Sequence, residues 1–471
     1  IIQKINLGYS FLLFFIAGVF MSGCVGGRQP NTDLNQLIAQ VANRELADSK
    51  RLEIIDTVLK QPLDDKQQQE LGNILAEVAA SPLHSPVIRS RVIEIIPQRY
   101  PENAPVWLGR ALLTTSEPEI QEQIINSLAQ LNQEQAIPFL VEAYGDADPG
   151  DPLKMKMAAA IEQITRQPLN SVLQAQLLTG ETISVKLAAL SSLLKSQGQE
   201  AVLGMLAARS PEDVILEQVA FWGQRFHYFP TNKSRFLMCQ LQRITLTPLQ
   251  FDELERRIAG LHNQDGYTFD ARDSYMILQA DPELLSRGRE RLARSITSRL
   301  ERLSHTSRPP SYPGAPDDYP EDFAGQQAKL SAVDLLRITL LLDTLAQPEP
   351  VRQLRRYVVA DRADTASEYG GLCFLEEGTV TFQKFASQRQ GGDNQYFWSG
   401  EMLQQRVLSL AVWHCHTNTN AETQPAGPGL DDIRHAAWHD YPGLVLSLLR
   451  DDGLNIDYYT PDGVVVDLGN Y

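Results

Sequence analysis

The chain has 471 residues; its 58 acidic and 42 basic side chains give a formal net charge of −16 and a pI near 5.0. So acidic a surface excludes nucleic acid as a partner, because that affinity comes largely from Lys and Arg neutralising phosphates. A length of this size with 43% hydrophobic residues points to a folded multidomain protein, and four cysteines exclude a disulfide framework.

At the N-terminus, Lys4 is followed by a mostly apolar run from Leu12 to Phe20 and then by Met21-Ser22-Gly23-Cys24. A short apolar core ending in small residues reads as an export signal, and it is too short for a comfortable transmembrane helix. The tetrapeptide resembles the lipobox of bacterial lipoproteins. That resemblance implies a signal peptide over 1–23, lipid on Cys24 and a tether over 24–35. More than one acyl chain gives stable anchoring, where one alone is marginal. Val25 in place of Asp after the cysteine implies, by the same resemblance, the outer membrane facing the periplasm. No other apolar run is long enough to span a bilayer.

From Asn31 to about 210, with the repeat domain set at 36–210, apolar residues recur at three- and four-residue spacing, as in Leu34, Leu37, Ile38 and Val41, with short polar breaks. Four segments superimpose, beginning at Pro86, Pro118, Pro152 and Thr182. Each opens a helix and sets a long polar side chain (Arg91, Gln123, Lys156, Lys186) before an apolar run. A period near 32 residues with paired helices signals an α-solenoid, in which stacking supplies the core and leaves a face free for a protein or peptide partner. The pattern resembles short HEAT-like repeats over roughly residues 80 to 205. An irregular helical bundle is the competing reading.

Residues 211–304 stay helical without the period. The aromatic residues from Phe221 to Phe229 read as a capping core, and the arginines from Arg287 to Arg302 as a solvated face with intrahelix ion pairs. The segment 305–326, rich in Pro, Gly and Asp, reads as a linker before an apolar helix over 329–345.

The pattern of the last domain, 327–471, is α+β around a mixed sheet. Strands are expected at 368–374, 380–385, 408–416, 445–449, 454–459 and 464–468, with helices at 400–405 and 431–438. His414 and His416 are two apart on one strand, so both imidazoles face one side and Cys415 the other. Asp432 lies at a helix start downstream, with Asp431 as its competitor. Two His and one Asp, with water in the fourth position, make an open catalytic zinc site, and Glu368 is the candidate to take the proton of that water. His435 and His439 stand at i, i+4 but lack the Glu of a zincin helix and read as surface histidines. Cys373 and Cys415 lie on strands expected to neighbour each other, a pairing that an oxidising compartment would permit as a disulfide.

The order Glu-x-Gly-Gly-Leu, His-x-His, Pro-Gly-x-x-Asp resembles the JAMM (MPN-type) zinc metalloproteases over roughly the last hundred residues. The resemblance implies Glu368 as the catalytic carboxylate, His414, His416 and Asp432 as Zn2+ ligands, and hydrolysis of an amide or isopeptide bond. The chain departs from the family at Gly429, where a Ser is usual, at Thr417, where a Pro is frequent, and in a longer spacing between His416 and Asp432. Two functions follow as expectations: a lipid-anchored zinc peptidase or isopeptidase, or a non-catalytic envelope scaffold carrying an inactive relative of that domain.

Overall fold

The structure is a computed structural model, and it describes residues 33–210, 212–261, 269–306, 321–364, 366–376, 378–388, 398–417, 427–449 and 453–471. Cys24 and its flanks lie outside the described residues. Among the described residues no helix is long and apolar enough to cross a membrane.

The first half is an array of helix pairs: Leu34–Gln40 with Asp48–Leu59, Asp65–Ala80 with Pro86–Arg99, Ala104–Thr114 with Pro118–Leu131, Ile137–Asp146 with Pro152–Thr165, and Leu169–Thr179 with Ile183–Gln197. Three of the second helices begin with Pro, whose missing N–H costs nothing in the first turn. Ser85, Asp151 and Thr182 supply side-chain caps.

Within that first turn the second helices carry a polar ladder that turns back onto the carbonyls ending the preceding helix. Arg51 donates to Val41 O at 2.7 Å, Arg89 to Ala79 O at 3.2 Å, Gln121 to Thr115 O at 2.7 Å, Lys154 to Ala147 O at 2.6 Å and Lys186 to Leu178 O at 3.4 Å. Helix ends leave carbonyls without intrahelical partners, and a cation there also opposes the negative end of the dipole.

Three of the four repeat residues read from sequence stand two positions beyond this ladder. Arg91, Gln123 and Lys156 reach one repeat back instead, to Asp56 at 2.9 Å, to Ser90 O at 3.0 Å and to Glu122. Only Lys186 belongs to the ladder. One continuous apolar core, from Ile38 to Phe236, runs through the array.

A second core runs from Trp222 to Leu468, so the helices between Val214 and Leu300 share it with the sheet. The aromatic cluster lies at the seam: Trp222, Phe226 and Tyr228 pack in the second core, whereas Phe229 packs in the first. Two of the arginines read as a solvated face tie elements together instead. Arg289 donates to Gln327 O at 2.6 Å, and Arg299 pairs with Asp343 at 2.6 Å.

The described parts of 305–326 dock on the last strand. His305 Nδ1 lies 3.0 Å from Asp467 Oδ2, and the Asp467 N–H donates to Glu321 O at 2.9 Å. The Phe323–Gln326 helix packs on the same strand.

The sheet has six strands: β1 (Gly370–Glu376), β2 (Thr379–Phe385), β3 (Ser409–His416), β4 (Gly443–Leu448), β5 (Leu454–Tyr459) and β6 (Val465–Asn470). Their order is β2-β1-β3-β4-β5-β6, parallel only between β3 and β4. Parallel neighbours need a crossover, and the Leu430–His439 helix provides it. Because that helix returns the chain to the start of β4, its N-terminus stands beside the C-terminal end of β3. Behind the sheet, the helices Ala332–Leu345 and Pro348–Ala363 pack on its β2, β3 and β4 strands.

The disulfide expectation fails on register. Cys373 stands opposite Ala411, four residues from Cys415 on β3. At about 3.3 Å per residue that is ~13 Å, about twice the Cα separation a disulfide spans. Cys239, Cys373 and Cys415 are free, buried thiols.

Candidate metal centre

Strand β3 is buried along its whole length except at His416, where it meets the surface. Alternation puts His414 and His416 on one face and buries Cys415 on the other. His414 is 7% exposed; its neighbour on β4 is Val445, and the Tyr459 ring from β5 lies edge-on to it with centroids 6.4 Å apart. Tyr459 needs the space above Gly443, where a Cβ would sit 2.2 Å from its ring.

Asp432 comes from the first turn of the crossover helix. The Gly429 N–H donates to Asp432 Oδ2 at 2.7 Å, which fixes the carboxylate and satisfies one donor of the helix start. Asp431, the competing ligand, points away. Its side chain is 95% exposed and pairs with Arg434 at 3.2 Å.

Three ligand side chains therefore converge. His414 Nε2 and His416 Nε2 are 3.2 Å apart, His414 Nε2 and Asp432 Oδ1 3.2 Å, and His416 Nε2 and Asp432 Oδ2 3.4 Å. A zinc ion with ligands at about 2.05 Å in a tetrahedron has ligand–ligand edges of ~3.3 Å. The donor set and its spacing fit a divalent cation, and His414, His416 and Asp432 are the one such group among the described residues.

The electrostatics agree. Burial opposes the Asp432 charge, but His414 and His416 outweigh it and hold the carboxylate well below its usual range. Burial likewise opposes protonation of His414, yet Asp432, then Glu368 and Asp361, push its pKa up to about 9. The carboxylates around His414 favour a proton on its ring, and a bound cation would take the place of that proton.

Glu368 is 7% exposed and lies two residues before the start of β1. Its charge acts on both His414 and Tyr459, so it lies within electrostatic reach of the site. The Tyr459 hydroxyl, raised well above its ordinary range by burial and then by Asp432 and Glu368, stays neutral. His435 and His439 are not free surface histidines. The Trp398 ring stacks on His439 at 4.3 Å and lies 4.7 Å from His435, and burial lowers both pKa values, that of His439 to about 3.

Sequence reasoning missed Asp361, a fully buried carboxylate near the end of the Pro348–Ala363 helix. It accepts from the Tyr369 N–H and from the Thr417 hydroxyl. No local pattern marks it, since it lies 53 positions before His414 on a helix whose other face is charged. Comparisons with protein families, with curated proteins and with solved structures return no match.

Proposed function

We propose that this chain is an exported lipoprotein, anchored through lipid on Cys24 in the cell envelope, whose terminal domain is a zinc-dependent amide hydrolase of the JAMM type. In this reading the helix pairs are HEAT-like repeats that hold a protein or peptide partner. The observation that carries the proposal is the convergence of two imidazoles and one carboxylate at metal-ligand spacing, with a buried glutamate whose charge acts on the same site.

The residues then divide the work. His414, His416 and Asp432 would hold the ion. Zinc in such a site supplies Lewis acidity and makes water nucleophilic near neutral pH. Glu368 takes the proton of the attacking water and delivers it to the leaving amine. The Gly429 N–H fixes Asp432 and is not free to serve as a donor to the substrate oxygen.

One observation favours a second reading, a non-catalytic scaffold. Gly429 provides no hydroxyl where the family has Ser, and loss of one such donor costs about two to three orders of magnitude in rate. Cleavage of a panel of linear peptides and lysine-linked isopeptides by the zinc-loaded protein separates the two. Activity that disappears in Glu368→Gln supports the hydrolase. Zinc binding without cleavage of any panel member supports the scaffold.

A further inference from the structure

The ladder between β1 and β3 ends at the pair Gly370–His414. Beyond that pair the β1–β3 ladder stops, although His416 stays paired with Ser447 of β4, and the site residues lie at this end: Glu368 just before β1, His416 at the close of β3. Two contacts hold it shut. The Cys415 N–H donates to Tyr369 O at 2.9 Å, which extends the pairing by one residue. The Asp361 carboxylate then bridges the outside, with Oδ1 on the Tyr369 N–H and Oδ2 on the Thr417 hydroxyl. Both amide groups of Tyr369 are thereby pinned, and Glu368 is its immediate neighbour. Thr417, 3% exposed, is likewise the immediate neighbour of His416.

We propose that Asp361 and Thr417 form a positioning clasp that fixes Glu368 and His416 relative to each other and so tunes the affinity of the centre for a divalent cation. This rests on the metal reading given above. Two features support it. The two oxygens of one carboxylate span the two chain segments that carry Glu368 and His416. Asp361 is fully buried and both of its oxygens accept hydrogen bonds, so its place is fixed. Asp361 and Thr417 ligate nothing themselves; they act through the groups they hold.

Partners that orient metal ligands are worth about 10–100-fold in metal affinity. The test is Zn2+ affinity of the full chain by competition with a chromophoric chelator, together with the visible absorption of the Co2+-loaded protein. Thr417→Val removes the hydroxyl and keeps the shape; it is expected to weaken Zn2+ binding about 10–100-fold and to alter the Co2+ bands. Thr417→Ser restores the hydroxyl and is expected to bind as the wild type does. Asp361→Asn keeps an acceptor for the Tyr369 N–H and loses the charge; it is expected to weaken Zn2+ binding as well, and it serves as the decisive variant where Thr417→Val does not fold. Wild-type affinity and spectrum in folded Thr417→Val, or in folded Asp361→Asn, overturn the clasp while leaving the metal reading intact. Failure of the wild type to bind Zn2+ overturns both.

Discussion

Replacing Arg337 by Met is expected to destabilise the sheet domain by about 3–5 kcal/mol at pH 8, the cost of breaking a buried ion pair by removing one partner. The Arg337 side chain is 2% exposed and pairs with Asp273 at 2.5 Å and with Asp334 at 3.0 Å. It also donates to the Tyr458 hydroxyl of β5 at 3.2 Å. The guanidinium thus joins the Ala332–Leu345 helix, the turn before Ser274–Gln279 and the sheet that carries the metal site.

Without Arg337, Asp334 keeps Ser331 and Tyr458 as donors, at 2.6 and 2.7 Å. Asp273 loses its ion-pair partner. Burial already pushes Asp273 up to about 6 against the pull of Arg337 and then Arg272. A carboxyl whose folded pKa exceeds its unfolded value contributes stability at low pH and loses it as pH rises through the folded pKa. Loss of Arg337 raises that pKa further, and each unit is worth about 1.4 kcal/mol. The destabilisation should therefore shrink by about 1–2 kcal/mol at pH 5. Guanidinium unfolding followed by tryptophan fluorescence, at pH 8 and pH 5, measures both values. A loss below about 1 kcal/mol, or an equal loss at the two pH values, refutes the reasoning.

Two further outcomes are expected. Gly429→Ser should fold, because the backbone there is extended with φ −74° and a Cβ meets only Asp432 Oδ2 at 3.4 Å; it should raise peptide cleavage by about a hundredfold under the hydrolase reading, and turnover equal to wild type across the panel would count against a missing oxyanion donor. In the array, His84 is buried and its Nδ1 accepts from Arg51 at 3.1 Å, so burial and then Arg51 lower its pKa to about 4. The unfolded chain then binds more protons between pH 6.5 and 4, and stability should fall by on the order of 2 kcal/mol as pH drops through that window; His84→Gln should flatten the slope, and an unchanged slope in urea titrations would contradict the assignment.

The division into a helical half and a mixed sheet was legible because period and alternation are local signals. All six strands fall within two residues of their expected starts, since hydrophobic runs and turn glycines such as Gly463, with φ 80°, mark them directly. The i, i+2 histidines and the helix-start Asp were legible for the same reason.

What failed depends on register and on distance along the chain. Neighbouring strands do not determine which residues face each other, so Cys373 and Cys415 look pairable from sequence and are four positions apart. In the array, two polar residues two apart precede each apolar run. Which of the two turns back onto the carbonyls is not a local signal: Arg89 and Lys154 do, whereas Arg91 and Lys156 reach the preceding repeat. Asp361 was invisible because its role exists only once the fold brings Tyr369 and Thr417 to it.

Zinc stoichiometry decides whether His414, His416 and Asp432 form a metal centre. Purified protein, dialysed against micromolar Zn2+ and assayed by elemental analysis, should carry one tightly held zinc per chain, and His414→Ala none. An equal zinc content in the two proteins, or none in the wild type, would contradict the account.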